Sequence, residues 1–260
     1  MRRARVRSGG RIEDVAVQGD GTLQTAEGRT LDPDHVEWLP PPHGTLIALG
    51  LNYRDHAAEL EFKAPAEPLV FLKTSACVTG HRQPCCRPDS AQNMHYEGEL
   101  VAVIGRTAQR VARAEALSYV GGYTICNDFA VRDYLENYYR PGLRVKCRDS
   151  LTPLGPWITD AADVGDPHAL WLRTWVNGEL RQDGNTRDLV FDIPYLIEYL
   201  SAFMTLHPGD MISTGTPQGV SNVMPGDEIV VEVERVGRLV NRVVREQEYE
   251  QWRVAPVERT

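Results

Sequence analysis

Short apolar runs separated by turn residues dominate the chain from Gly44 onward. LIALGLNY, PLVFLK, ELVAVIG and GYTICND are each bounded by Gly, Pro, Asn or Asp, and their length predicts buried strands. Trp171 to Val176 and Glu179 to Gln182 flank Asn177-Gly178, a two-residue hairpin signal. Helical spacing occurs in two places. Ala130 to Tyr138 follows Asn127 and Asp128 as caps and stops ahead of Arg140-Pro141. Ile193 to Met204 has Pro194 in its first turn and apolar residues at Leu196, Ile197, Leu200 and Phe203.

Ahead of these runs, residues 1–43 carry short alternating pieces, Arg11 to Val17 and Gly21 to Gln24, and end in Pro40-Pro41-Pro42. That composition predicts a small β-rich leader with a stiff linker, followed by a main body over 44–260. Pro-Gly-Asp recurs at 208–210 and 225–227 ahead of strand-like runs and reads as a pair of type II turns. With strands outnumbering helices, the expected class is mainly β with a few helices, of the α+β kind.

Composition narrows the function classes. A chain of 260 residues, 42% hydrophobic and 25% charged, is long enough for one large core. Its 36 acidic against 28 basic residues give a net charge of −8, which argues against a nucleic-acid partner. Arg2, Arg3, Arg5, Arg7 and Arg11 cluster at the start, but no apolar stretch follows them, so no targeting signal is expected. No run approaches the roughly 18 apolar residues of a membrane span. The cysteines, Cys77, Cys85, Cys86, Cys126 and Cys147, form no CxxC pair. They suggest a reducing compartment, hence the cytoplasm, rather than a disulfide framework or zinc site.

The run from Met94 to Gly105 holds the candidate chemistry. Glu97 and Glu99 are two apart in an otherwise apolar strand, so both carboxylates share a face. Like charges with little water are costly unless a cation joins them; a solvated strand end or arginine partners are the other solutions. Asp128, at the end of the Gly122 to Asn127 strand, would complete an all-oxygen set suited to Mg²⁺, Mn²⁺ or Ca²⁺ rather than zinc or copper. His56 and Glu59, three apart, share a face if helical and would make a base with an orienting partner; an ordinary surface helix would look the same. Lys146 lies among alternating charges that an edge strand would also show. Ser213 to Gly219 offers glycines, amides and hydroxyls suited to an oxyanion, without the Lys of a P-loop.

In order along the chain, GLNYRDHAAE, FLKTS, YEGELVAVIG, GYTICNDFAVRD, RVKCRD, STGTPQGV and PGD resemble the fumarylacetoacetate hydrolase family over about Gly44 to Arg245. The resemblance implies a mixed β-roll and a divalent metal, Mg²⁺ first, on Glu97, Glu99 and Asp128. It also implies a homo-oligomer, dimer or larger, and substrates with a 2-oxo or enol acid head. HGTLIALGLNYRDHAAELEF, MHYEGEL, VRDYLENYYRPGLRVKCRD and FMTLHPGDMISTGTPQG are most similar to the family's decarboxylase/isomerase branch, found in 4-hydroxyphenylacetate catabolism. Many other members carry a Gln soon after the Arg-Asp pair, where this chain has Leu135 after Arg132, Asp133 and Tyr134.

That branch implies decarboxylation of 5-oxopent-3-ene-1,2,5-tricarboxylate and isomerisation of the resulting 2-hydroxyhepta-2,4-diene-1,7-dioate. By the same resemblance His56, Glu59 and Lys146 are catalytic. Thr214, Gly215 and Thr216 would hold a substrate carboxylate, and Arg132 and Lys73 would balance further acid groups. The competing expectations are a carbon-carbon bond hydrolase on the same fold, a metal-stabilised scaffold without turnover, and a subunit dependent on a separate partner.

Overall fold

The computed structural model describes residues 1–63, 65–135 and 142–254. Among these residues the strands form a 12-stranded sheet, a 5-stranded sheet and a two-stranded ribbon. From the leader's first strand to its far edge the large sheet runs Arg2–Ser8, Thr152–Asp160, Val120–Asn127, Gly98–Ile104, Met211–Ser213, Leu46–Gly50 and Leu69–Lys73. Glu179–Asn185, Trp171–Val176, Glu228–Val233, Gly237–Arg245 and Pro84–Arg87 make the smaller sheet. The expected class, mainly β with a few helices in an α+β arrangement, holds.

Strand Gly98–Ile104 is buried along its whole length because both faces are covered. Leu100, Ala102 and Ile104 join a core with Leu172, Val231 and Leu239 of the second sheet and with Leu196, Ile197 and Leu200 of helix Ile193–Phe203. Val101 and Val103 join Leu46, Cys126, Leu154 and Met211 on the other face. A strand covered twice reads as a continuous apolar run rather than an alternating one. Gly98 falls on the side facing the second sheet, where a Cβ would lie 2.4 Å from Thr174 Oγ1 and 2.8 Å from Val231 Cγ1. The absence of a side chain there lets the two sheets approach, while the neighbouring carboxylates point the other way.

The leader adds strands to the same large sheet. Arg2–Ser8 pairs with Arg11–Val17, with Glu37–Leu39, and with Thr152–Asp160 of the main body. Ala4, Val6, Val15, Leu23 and Trp38 form a separate apolar cluster against which Trp157 packs. The hairpin at Asn177-Gly178 forms, both residues taking the positive φ its tight turn requires. Gly209 and Gly226 likewise have positive φ in the Pro-Gly-Asp turns. Asp210 and Asp227 then close those turns by accepting the amides of His207 and Met224.

Three sequence expectations need correction. Ala130–Val131 is a strand paired with Met94–His95, and Arg132–Tyr134 is a single tight turn, not the start of a helix. The cause is a partner distant in sequence: the Asp133 carboxylate accepts the Gln92 and Asn93 amides, and the Arg132 amide donates to Asn93 O, so the segment is tied to the stretch leading into strand Met94–His95. The rest of the expected helix, 136–138, lies outside the described residues. Leu69–Lys73 is an edge strand with Leu72 57% exposed, although its sequence is as apolar as a buried one. Lys146 lies in a helical turn, Leu143–Lys146, rather than on an edge strand.

Gly98→Ala tests the close approach of the sheets. Overpacking of this kind costs about 1–3 kcal/mol, so the variant should unfold at lower urea concentration with an unchanged slope.

Candidate active site

The register of two antiparallel strands assembles the acidic cluster. Gly98 pairs with Asn127 and Glu99 with Cys126, so the start of one strand meets the end of the other. The Asp128 amide donates to Glu97 O at 2.8 Å, and the Glu97 amide donates to Asn127 Oδ1 at 2.9 Å. Glu97, Glu99 and Asp128 are all buried, and ligand atoms from the three lie within 4.8 Å of one another. Sequence spacing places two of them on one face, and strand pairing adds the third.

Cations surround two of the carboxylates. The Lys146 ammonium donates to Glu97 Oε2, to Asp128 Oδ2 at 2.8 Å and to Asp128 O at 3.1 Å. Arg132 Nη2 donates to Glu97 Oε1 at 2.6 Å, and Lys73 Nζ to Asp128 Oδ1 at 2.5 Å. Burial opposes ionisation of Glu97, but Lys146 and then Arg132 outweigh it and hold the group down at about 2. Glu99 has no such cation among the described residues. Its Oε2 accepts Ser213 Oγ at 2.6 Å and the Gly215 amide at 2.9 Å. Burial, then the charges of Asp128 and Glu97, push its pKa up to about 8.

This arrangement fits a divalent cation. The donors are hard oxygens, they converge, and one is kept from ionising by burial and by the charges of the other two, a penalty that a bound ion offsets. The Lys146 ammonium bridges Glu97 and Asp128 as a positive charge in the position where an ion would be needed.

Helix Arg54–Glu59 carries the candidate base. His56 is buried, and its Nδ1 lies 3.1 Å from Glu59 Oε2. The other oxygen of Glu59 accepts the Gly219 amide at 2.9 Å, which ties the helix to the loop following strand Met211–Ser213.

Four residues expected to contact substrate have internal partners. Lys73 is fully buried, and its ammonium donates to the Asp128 carboxylate and to Lys146 O, so it braces a candidate ligand. Thr214 Oγ1 donates to Leu100 O, Thr216 Oγ1 to Gly98 O, and the Gly215 amide to Glu99. Buried polar groups take internal partners, and these hold the strand bearing the carboxylates. Arg132 reaches the site as expected, through Glu97.

Residue types alone did not single out Ser213, Asn127 or Gln182. Gln182 is wholly buried, donates to Thr216 Oγ1 at 2.8 Å and Pro217 O at 2.7 Å, and accepts the Gly98 amide. An isolated Gln in a hairpin strand gives no signal of this. Ser213 and Asn127 did lie inside the quoted motifs. His95 was also passed over; its Nδ1 accepts Arg132 Nε at 3.4 Å beside the same carboxylates.

Comparison with known proteins gives the following. A family model described as fumarylacetoacetate (FAA) hydrolase C-terminal matches residues 45–244. The 4-hydroxyphenylacetate degradation bifunctional isomerase/decarboxylase of Salmonella dublin is 64% identical over 210 residues, covering 81% of this chain and 49% of that protein. The chain spans about half the length of the curated relatives of this kind. The structure of 5-carboxymethyl-2-hydroxymuconate delta-isomerase from Mycobacterium smegmatis is similar with TM-score 0.85 at 40% identity, covering 95% of this chain and 99% of that one. Maleylpyruvate hydrolase from Sphingobium sp. SYK-6, solved with manganese (II) and pyruvate, has TM-score 0.81 at 32% identity, covering 94% and 99%.

The raised pKa of Glu99 sets a pH dependence. In the metal-free protein the group stays protonated when folded and is ionised when unfolded between its ordinary 4.5 and about 8. The unfolded state then binds fewer protons, so this contribution to stability is full below the lower value and is lost as pH rises to the upper one. Tm of EDTA-treated protein should carry this downward component across that window, with Glu99→Gln lacking it. Binding of a divalent ion at pH 7 should release about one proton from Glu99, measured by calorimetry in buffers of different ionisation enthalpy.

Proposed function

The chain belongs to the fumarylacetoacetate hydrolase family, and on that premise we propose that it is a divalent-metal-dependent decarboxylase and isomerase. Its proposed substrates are 5-oxopent-3-ene-1,2,5-tricarboxylate and the 2-hydroxyhepta-2,4-diene-1,7-dioate formed from it, in 4-hydroxyphenylacetate catabolism. The observation that carries this reading is the buried cluster of three carboxylates with the Lys146 ammonium bonded to two of them, and the His56–Glu59 pair supports it. The identity to the bifunctional relatives supports the choice of reaction within the family.

Glu97, Glu99 and Asp128 would hold Mg²⁺, with Mn²⁺ as the alternative. Bound there, the ion supplies Lewis-acid polarisation of the substrate's 2-oxo group and adjoining carboxylate. Lys146 adds a hydrogen-bonding positive charge where electron density collects as CO₂ leaves. Glu59, as carboxylate, keeps the imidazole proton on Nδ1, so Nε2 of His56 carries the lone pair that takes a proton from one carbon and returns it at another. Burial of Glu97, Glu99 and Asp128 limits the water that would compete for the carbanion-like intermediate. Arg132 and Lys73 act on the site by fixing Glu97 and Asp128. We take the active species to be a cytoplasmic homo-oligomer, which light scattering on the purified chain tests.

The primary test is to give EDTA-treated protein the tricarboxylate with and without Mg²⁺, following CO₂ and diene absorbance together. Metal-dependent CO₂ release followed by an absorbance shift is expected. Cleavage of an acylpyruvate to two acids, without CO₂, would replace the reaction with hydrolysis on the same site. Alanine at Glu97, Glu99 or Asp128 should abolish turnover in a folded protein. His56→Ala should lower kcat by about 10²–10⁴-fold with little change in KM, and Lys146→Met by about 10²–10³-fold.

A further inference from the structure

We propose that a cavity of about 560 Å³ beside helix Arg54–Glu59 is a second binding site, built for an aromatic carboxylate. Arg54, Arg113, Arg187, His168, Phe191 and Tyr195 line it, and none of the candidate metal ligands or Lys146 does. Its volume is that of a small-molecule site.

The wall carries uncompensated positive charge. Arg113 is paired with Asp192 at 2.7 Å. Arg187 Nε donates to the neutral Asn185 Oδ1 at 3.0 Å, and Arg54 reaches only the carbonyl of Asp188 at 3.5 Å. Among the described residues neither of these two guanidinium groups has an ion-pair partner. A planar fork of this kind matches a carboxylate in bidentate geometry. His168 adds a further polar group: its Nδ1 is engaged with Asp166 at 2.8 Å, while its Nε2 is buried without any hydrogen-bond partner.

The ligand's body is indicated by the other wall. The rings of Phe191 and Tyr195 are stacked at 5.3 Å and 19°, and the Arg113 guanidinium lies 5.6 Å from the centroid of the Tyr195 ring. A flat ring satisfies such a surface; an inorganic anion would use the arginines and leave the aromatic pair uncovered.

This wall is bonded to the segment that leads into the His56 helix. Val190 N donates to Asn52 O at 2.8 Å, and Phe191 N to Asn52 Oδ1 at 2.9 Å. Asn52 Nδ2 in turn donates to Phe191 O at 3.1 Å and to Thr214 O at 2.8 Å. Tyr53 pairs with Leu189. A ligand seated on Phe191 therefore presses on a residue bonded to both sides of the proposed active site, and the site modulates turnover without competing for it. Only this kinetic consequence rests on the proposed function; binding itself does not.

The test titrates the metal-loaded full chain with phenylacetate by calorimetry and ligand-observed NMR, beside inorganic phosphate. Saturable phenylacetate binding is expected. Arg187→Gln and, separately, Arg54→Gln should weaken it at least about tenfold, whereas Glu97→Ala should leave it intact. In turnover assays phenylacetate should change kcat with little effect on KM. Absence of saturation, equal affinity for phosphate, or indifference to both arginine variants would overturn the proposal. So would loss of binding in Glu97→Ala, or purely competitive kinetics, since either puts the ligand on the acidic cluster.

Discussion

Everything at the acidic cluster follows from the cost of gathering negative charge in a dry interior. The antiparallel pairing of Gly98–Ile104 with Val120–Asn127 leaves no freedom: once the register is set, Glu97, Glu99 and Asp128 are neighbours. Removing ionised carboxylates from water is expensive, and more so side by side. The surrounding structure is an answer to that cost, with Lys146 and Arg132 on Glu97, and Lys73 and Lys146 on Asp128. Only Glu99 is left to hydrogen bonds from Ser213 and Gly215, and it is the carboxylate whose ionisation is most opposed.

Uncharged side chains bonded to the backbone around the carboxylates keep this cluster from relaxing. Asn127 holds the Glu97 amide, Gln182 spans from the Gly98 amide to Thr216 and Pro217, and Thr214 and Thr216 return their hydroxyls to the strand. Each of these buried side chains has a hydrogen-bond partner in the cluster's strands or loop, so displacing any one would strand another. The position of charge in the site is therefore fixed by uncharged residues from three separate stretches of chain.

Local chemistry was legible in the sequence where one segment contains the whole feature. The period-two placement of Glu97 and Glu99, the His56–Glu59 spacing, the Asn177-Gly178 hairpin and helix Ile193–Phe203 are of this kind. What depended on distant partners was not. Ala130–Val131 became a strand because residues 92–95 lie beside it, and Leu69–Lys73 sits at a sheet edge that its apolar run does not announce. Lys73 and the hydroxyls of Thr214 and Thr216 were read as reaching outward, because a sequence lists donors but not the acceptors that folding sets next to them. Gln182 shows the opposite failure, a central residue with no local mark.

The carboxylate of Glu59 serves two partners. One oxygen lies 3.1 Å from His56 Nδ1 and the other accepts the Gly219 amide, so a single side chain both docks the helix and orients the imidazole. Position and orientation are therefore linked: any displacement of helix Arg54–Glu59 from the Gly219 loop would also loosen the ring beside it.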